Sequence, residues 1–251
     1  MSWWQSLYDE HLAEVLLTRE SLEEVVRTSD FLERVLCLSP GMRVFDQCSG
    51  IGGVAIPLAE RGLHVVGVEQ CGAYVQRSVE EAAHVAERCS FFEGDAFEFV
   101  PERPVHAAYN WWTSFGYTRS DDKNSRMLAR AFESLQPGGR FALDFLNLPG
   151  VLRGFQRHVV LRKPTPSGEV VLLRETALDL PSGTMEKTWT YFLPDGRRVT
   201  HQSSLRLYLP HQLRELLLGV GFEDVSFFGG VGGEALTMDT LRCIALARRP
   251  P

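Results

Sequence analysis

Several residue patterns are scarce in this 251-residue chain, and each scarcity excludes something. The five cysteines (Cys37, Cys48, Cys71, Cys89 and Cys243) are an odd number with no CxxC spacing, which implies neither a disulfide frame nor a zinc knuckle and suits a reducing cytoplasm. The seven histidines form no HxxxH pair on a helical stretch, so no protein-held metal is expected. No apolar run approaches the roughly 20 residues that span a bilayer. The N-terminus opens with Trp3, Trp4, Asp9 and Glu10 instead of a basic and then apolar leader, so the expectation is a soluble, cytoplasmic protein without a membrane partner. Formal charge is -6, from 26 Lys plus Arg against 32 Asp plus Glu, and no window gathers the basic residues that a grip on phosphate backbones requires. Nucleic acid is therefore not expected as a partner. What is present, 44% hydrophobic and 23% charged residues, is enough for one large α/β domain spanning 1–251.

The first 150 residues alternate short β-rich runs with helical ones, the pattern of a parallel sheet covered on both faces. Residues 1–40 read as helical. Within them Ser21, with Glu24 three positions on, caps a helix whose apolar residues (Leu22, Val25, Val26, Leu32, Val35, Leu36) recur up to Cys37. The core, 41–150, then holds strands at Arg43–Gln47, His64–Glu69, Ser90–Glu93, Val105–Trp111 and Arg140–Phe145, with helices after the glycine run 49–53, over 73–88 and over 121–135. Residues 156–208 carry β-type runs and two turns, Pro181-Ser182-Gly183 and Pro194-Asp195-Gly196, which predicts an antiparallel insert after strand five. Parallel pairing is expected to resume over 209–251, with a helix from Pro210 to Gly219 and strands at 222–228 and 241–247. The fold class is α/β: a Rossmann-like, seven-stranded, mostly parallel sheet flanked by helices, with that insert.

The chemistry starts where the first strand meets Ser49-Gly50-Ile51-Gly52-Gly53. Glycines let the chain turn tightly and bring backbone N–H groups and a helix N-terminus close to a nucleotide-like ligand. Glu69, nineteen residues after Gly50, ends the second strand, where a carboxylate can accept both ribose hydroxyls of an adenosine. Asp95, after the third strand, can accept an adenine amine while Ala96 or Phe97 packs on the ring. Gly50, Gly52 and Ala55 also satisfy GxGxxA, so an NAD(P)-dependent oxidoreductase is a rival reading. Against it stands Asp46 on the strand entering the loop. A carboxylate there repels a pyrophosphate but suits an ammonium or a cationic sulfur.

With these residues in place the chain resembles a class I S-adenosylmethionine-dependent methyltransferase over nearly its whole length. Phe45-Asp46-Gln47-Cys48-Ser49-Gly50-Ile51-Gly52-Gly53 is similar to that superfamily's first motif, although Gln47, Cys48 and Ser49 replace its commonest residues. The resemblance implies S-adenosyl-L-methionine as cofactor, held by Asp46, Gln47, Cys48, Ser49, Gly50 and Gly52. Glu69 and Gln70 would serve at the ribose, Asp95 and Ala96 at the adenine, and Asn110 and Trp111 at the end of strand four. Gln136-Pro137-Gly138-Gly139 matches the turn before strand five. No NPPY-like tetrapeptide follows strand four, which by the same resemblance argues against methylation of DNA bases.

Two strings, Trp112-Thr113-Ser114-Phe115-Gly116-Tyr117 and Leu143-Asp144-Phe145-Leu146-Asn147, resemble those of small-molecule tailoring N- and O-methyltransferases, whose N-terminal segment closes over the cofactor. That resemblance makes 1–40 a lid, with Trp3, Trp4 and Tyr8 as its aromatic contacts, and 156–208 a substrate cap. Trp4, Trp112, Ser114 and Asn147 are the substrate-binding candidates, and Tyr117 and His201 the catalytic ones. Methyl transfer is an in-line displacement in which alignment supplies much of the acceleration, so a hydroxyl or imidazole need only take or polarise a proton. A two-residue Asp195-Gly196 turn would pair Trp189 with Gln202 and Tyr191 with Thr200, and set Val199 and His201 on the opposite face with Phe192. The expected partner is a small-molecule acceptor, and the expected state a monomer or homodimer. A cofactor-binding module that transfers nothing is the other alternative.

Overall fold

Val44, Phe45, Val65, Val68, Ala107, Ala108, Phe141 and Leu143 are all at most 1% exposed, and strands apolar on both faces belong inside a parallel sheet that helices cover. A computed structural model of the chain describes residues 3–9, 12, 13, 15, 21–165 and 168–251, with Gln5 described by its backbone alone. The other residues of the expected 1–40 lid lie outside the described ones. Its strands are β1 (Arg43–Gln47), β2 (His64–Glu69), β3 (Cys89–Glu93), β4 (Val105–Asn110), β5 (Leu135–Leu146), β6 (His158–Thr165), β7 (Gly168–Asp179), β8 (Thr184–Phe192), β9 (Arg198–Arg206), β10 (Glu223–Phe228) and β11 (Arg242–Arg248). The helices are α1 (Trp4–Leu7), α2 (Leu22–Leu36), α3 (Ala55–Glu60), α4 (Gly72–Glu81), α5 (Asp121–Ser134), α6 (Leu148–Arg153) and α7 (Pro210–Val220). The chain divides into two compact units, one of Glu20–Phe115, Ser120–Arg153 and Tyr208–Pro251, the other of Met1–Arg19, Gly116–Arg119 and Gly154–Leu207.

The first unit is built on a seven-stranded sheet in the order β10-β11-β5-β4-β1-β2-β3. Strands β1 to β5 are parallel, so their carboxyl ends share one edge. The expectation that parallel pairing resumes after the insert is corrected here: β11 runs antiparallel to both β5 and β10. The connection 229–241 is a glycine-rich loop that folds on itself through Gly229 N–H to the Glu234 carbonyl. With no helix to carry the chain back along the sheet, it re-enters at the end it left. One consequence matters for the site. The first residue of β11, Arg242, stands beside Leu146 at the carboxyl end of β5.

Helix α2 begins in a complete capping box, in which Ser21 accepts from the Glu24 amide and the Glu24 side chain accepts from the Ser21 amide. Its stripe of Phe31, Leu32, Val35 and Leu36 packs into the core of the sheet unit with Val44, Leu58, Val65 and Trp111. The expected 1–40 segment is therefore divided, and α2 belongs to the sheet. Ser21→Ala should cost about 1 kcal/mol through the lost cap. A urea melt checks it, with a lower midpoint at an unchanged slope as the expected result. Two helix ends also differ from expectation. The 73–88 helix stops at Glu81 before a 3₁₀ turn at Ala83–Val85, and α7 runs through Gly219 to end in left-handed Gly221.

The second unit holds the four-stranded antiparallel sheet β6-β7-β8-β9 that the turns at 181–183 and 194–196 predict. Val170, Leu172, Trp189 and Tyr191 bury against Leu7, Leu12 and Val15 of the N-terminal segment. Its register corrects the expected one by a single residue. Leu193 donates to the Arg197 carbonyl at 2.9 Å and Gly196 to the Leu193 carbonyl at 3.0 Å, so the loop is Pro194-Asp195-Gly196, three residues closed by Gly196 at φ +83°. The extra loop residue pairs Trp189 with His201 and Tyr191 with Val199. In a strand a one-residue slip exchanges faces, so His201 shares the face of Trp189 and Tyr191 that it was expected to oppose.

Candidate functional site

Parallel pairing sets the carboxyl ends of β1, β2, β3 and β4 side by side, and at this edge stand four polar residues: Asp46, next to last in β1, Glu69, last in β2, Asp95, two residues after β3, and Asn110, last in β4. Glu69 is 7% exposed and accepts two amides, Gly50 N–H on Oε2 at 3.0 Å and Cys71 N–H on Oε1 at 2.9 Å. The first of these ties the glycine loop directly to the acid. Burial raises the Glu69 pKa, and the amides of Cys71, Gly50 and Gln70 draw it back. Gly50, at φ +55°, has nothing within 4 Å of where a Cβ would stand, whereas a Cβ on Gly52 would meet Ile56 and Phe91. Gly50, like Gly53, is thus an open point of the loop and Gly52 a packed one.

Asp46 is 3% exposed and accepts the Tyr109 hydroxyl at 2.8 Å across the β1–β4 pair. Burial pushes its carboxyl up to about 7, the Tyr109 hydrogen bond opposes that, and the charge of Glu69 adds to it. Asp95 is exposed, with Oδ1 capping the Phe97 amide at 2.9 Å. The Cys48 thiol is raised by burial first and then by the charges of Glu69, Asp46 and Asp95. So high a thiol pKa makes Cys48 a packing residue and not a nucleophile. Among the described residues no group of three His, Cys, Asp or Glu stands where it could hold a metal ion.

Other candidates brace this edge from inside. Gln47 is fully buried, donates to the carbonyls of Met127 at 2.9 Å and Ala96 at 3.3 Å, and accepts from Asn110 Nδ2 at 3.2 Å. That corrects the expectation of a cofactor contact from its side chain: glutamine at this position bridges β1, α5 and the loop after β3. Asn110 is itself fully buried, and its Oδ1 has no partner among the described residues. Ser49 Oγ, buried against Gly67 and Phe91, is likewise unpartnered. Gln70 is half-buried beside Glu69, and Ala96 is buried.

Two further expectations change. Trp111, 3% exposed, packs on Phe31 and Tyr109 as core, because strand alternation turns residues 109 and 111 to the α2 side of the sheet. Asn147 is 1% exposed and donates through Nδ2 to the carbonyls of Thr237 at 2.7 Å and Thr240 at 2.8 Å, so it ties down the 229–241 connection and does not face a substrate. Ser114 donates to the Trp111 carbonyl at 3.0 Å and closes the turn that leaves β4. That turn holds Trp112 at φ +59° and Thr113 at φ +58°, two successive left-handed residues with side chains, at a cost of roughly 1–2 kcal/mol each.

Asp144, which the motif reading left without a role, organises that turn. Its Oδ2 accepts the Trp112 amide at 3.0 Å, its carbonyl accepts the Thr113 amide at 3.2 Å, and its Oδ1 accepts Arg242 Nε at 2.8 Å. Burial raises the Asp144 pKa, and Arg242 and the Trp112 amide oppose the rise. The Arg242 guanidinium lies 4.9 Å from the Trp111 ring centre and 4.8 Å from that of Trp112, within cation–π range of both. Sequence reasoning missed Arg242 because its place depends on the antiparallel entry of β11.

The remaining candidates belong to the second unit. Tyr117 and Tyr8 share a hydroxyl–hydroxyl hydrogen bond, and Trp3 and Trp4 pack on Tyr117 with ring centres at 4.8 and 6.1 Å. Trp3 also donates to the Tyr117 carbonyl at 3.3 Å. His201 Nε2 meets Asp9 Oδ2 at 2.9 Å, and the ring stands edge-on to Tyr191. Trp4, Tyr8 and Tyr117 are thus brought together, and His201 pairs with the same N-terminal segment.

Comparison with known proteins bears on the whole arrangement. The model of a methyltransferase domain family matches residues 44–139, from β1 into the first residues of β5. The S-adenosyl-L-methionine-dependent Diels-Alderase iccD of Talaromyces variabilis is 31% identical over 117 residues, 43% of this chain and 37% of that protein. The match spans little more than a third of that relative's length. Among solved structures, the CcbJ methyltransferase of Streptomyces caelestis superposes with a TM-score of 0.81 over 97% of this chain and 98% of its own, at 19% identity. The sugar N-methyltransferase KedS8 of Streptoalloteichus gives 0.73 over 93% and 89%, at 17% identity. At such identities the likeness is one of fold, and the seven-stranded sheet with its antiparallel insert is that fold. Residues 44–139 are thus similar to the methyltransferase domain family, and the chain carries the fold of the solved S-adenosylmethionine-dependent methyltransferases.

Proposed function

We propose that this chain is an enzyme that transfers the methyl group of S-adenosyl-L-methionine to nitrogen or oxygen of a small-molecule acceptor. The observation that carries the reading is the bond between Glu69 and the Gly50 amide, at the sheet edge where the parallel strands β1 and β3 also bring Asp46 and Asp95. The residues fit the cofactor. A carboxylate has about four lone-pair directions, so the amides on Glu69 do not exhaust it and a ribose diol can be accepted. Asp95 Oδ2 has no partner among the described residues and suits the adenine amine. Asp46 supplies negative charge for the cationic end, and the open space at Gly50 lets a ligand approach the backbone. When bound, the cofactor supplies an electrophilic methyl on a cationic sulfur.

The chain's own part is to hold and align. Asp46, Glu69 and Asp95 fix a nucleoside at three points, which restricts the orientations open to its reactive end. Tyr117, already hydrogen-bonded to Tyr8, is the hydroxyl assigned to polarise or take the acceptor proton. His201, oriented by Asp9, is the alternative base. Trp112, 38% exposed at the carboxyl end of β4, is the acceptor contact on the sheet unit. The acceptors named for KedS8 and related structures favour a small tailored molecule.

A second reading, in which the cofactor is held but its methyl retained, is favoured by the Diels-Alderase among the relatives. Incubation with donor tritiated on its methyl and a panel of small amines and phenols separates the two. The expected result is labelled product with one S-adenosylhomocysteine formed per methyl transferred; conversion of an acceptor with the label still on the donor supports the second reading. Cofactor class is read independently from a thermal melt. A ligand at a hundred times its Kd stabilises by about 2.7 kcal/mol, so S-adenosylhomocysteine should raise Tm where NAD does not. A rise with NAD alone overturns both readings.

A further inference from the structure

Two consecutive left-handed residues with side chains, one of them the β-branched Thr113, persist only where the surroundings over-determine them, and such strain gathers at sites of function. Here the surroundings are a single acid and its partner. Asp144 receives both strained amides, Trp112 on its carboxylate and Thr113 on its carbonyl, while Arg242 holds the other carboxylate oxygen. The guanidinium lies within cation–π range of both the Trp111 and the Trp112 ring. Its Nη2 is buried without a partner among the described residues, so aromatic faces stand where acceptors would normally be. Trp111 is sealed in the core, which makes it the fixed ring of the two. Trp112 is the one that exposes indole surface, 38% of the residue, at the sheet edge where open α/β folds take their ligands.

We propose that Asp144 and Arg242 are positioning residues that hold the Trp112–Thr113 turn in its left-handed form, so that the Trp112 indole is a rigid platform for the flat face of an acceptor. The inference rests on the methyltransferase reading for its account of what the platform serves. A glycine in place of Thr113 would relieve the backbone but free the turn to move, and in this account the threonine is kept for rigidity. Lysine in place of Arg242 keeps the charge but lacks a planar group to set against the two rings.

The test uses the full chain with S-adenosylhomocysteine present, 2-naphthol as a planar probe and cyclohexanol as a non-planar one. Binding is followed by the ¹⁵N-indole NMR signal of Trp112, assigned through Trp112→Phe. Naphthol should shift this signal saturably and cyclohexanol should not at equal concentration. Asp144→Asn, Arg242→Met and Arg242→Lys should each weaken naphthol binding about tenfold and broaden or double the Trp112 signal. The Trp189 signal and the S-adenosylhomocysteine Kd should stay within twofold. Thr113→Gly covers the case in which the charge variants do not fold: it should raise Tm yet still weaken naphthol binding about tenfold. Naphthol affinity unchanged in the folded variants, or naphthol that leaves Trp112 unmoved in the parent chain, overturns the proposal. Failure of S-adenosylhomocysteine to bind the parent chain is a different failure: it overturns the cofactor reading while the Trp112 response still reports on the platform.

Discussion

Glu69→Ala should weaken S-adenosylhomocysteine binding by about 1.5 to 3 kcal/mol, the range for hydrogen bonds to a charged group, or roughly 10- to 150-fold in Kd by calorimetry. Two losses combine in that figure. The ribose loses its acceptor, and the Gly50 amide, held at 3.0 Å by Oε2, loses the anchor that shapes the glycine loop. Glu69→Gln separates them. A glutamine oxygen can still accept one amide but carries no charge, so binding should fall between the parent and the alanine variant. Because burial disfavours the charged form of Glu69, the same change should leave Tm level or higher. A Kd within twofold of the parent in Glu69→Ala would remove Glu69 from the site.

The first three strands were legible almost to the residue, because each is a short apolar run ending in a polar residue and a glycine or helix cap. Their acids were legible as a set for a related reason: parallel strands bring their carboxyl ends to one edge whatever the details of packing. The features that stayed hidden depended on distant partners or on single-residue counts. Whether the 194–196 turn has two or three loop residues decides which face His201 occupies. Trp111 and Trp112 look alike as a pair, yet alternation buries one, and a left-handed turn exposes the other. Asp144 meets Arg242 only because β11 enters antiparallel beside β5, across 98 residues of chain. Asn147 sat at the expected strand end, but its amide was claimed by a loop that no local pattern announces. Tyr109, the donor to Asp46, would have been found by pairing β1 with β4 in register.

The largest pH effect should come from Asp46. Its carboxyl is pushed up to about 7 against an ordinary 3.8, with burial as the main cause. The folded chain therefore keeps this proton up to about pH 7, while the unfolded chain loses it near 3.8. Between those values unfolding releases a proton, so the stability associated with Asp46 is fully present below about 4 and is lost as pH rises through about 7. The gap is about three pH units, worth on the order of 4 kcal/mol. Asp46→Asn should accordingly raise stability at pH 8 and change little at pH 4, as read from urea melts at the two values. A cationic ligand reverses the preference, since the ionised carboxylate is the form that attracts it. Below pH 7 S-adenosylmethionine should then bind with release of a proton, seen as a dependence of calorimetric heat on buffer ionisation enthalpy at pH 6.5, and its affinity should climb by up to tenfold per pH unit. In Asp46→Asn both the proton release and the climb should vanish. A substitution that stabilises the fold and yet abolishes pH-linked binding is the signature of an acid kept, against its own burial, for the cationic end of the cofactor. Proton release that survives in Asp46→Asn would move that role to another residue.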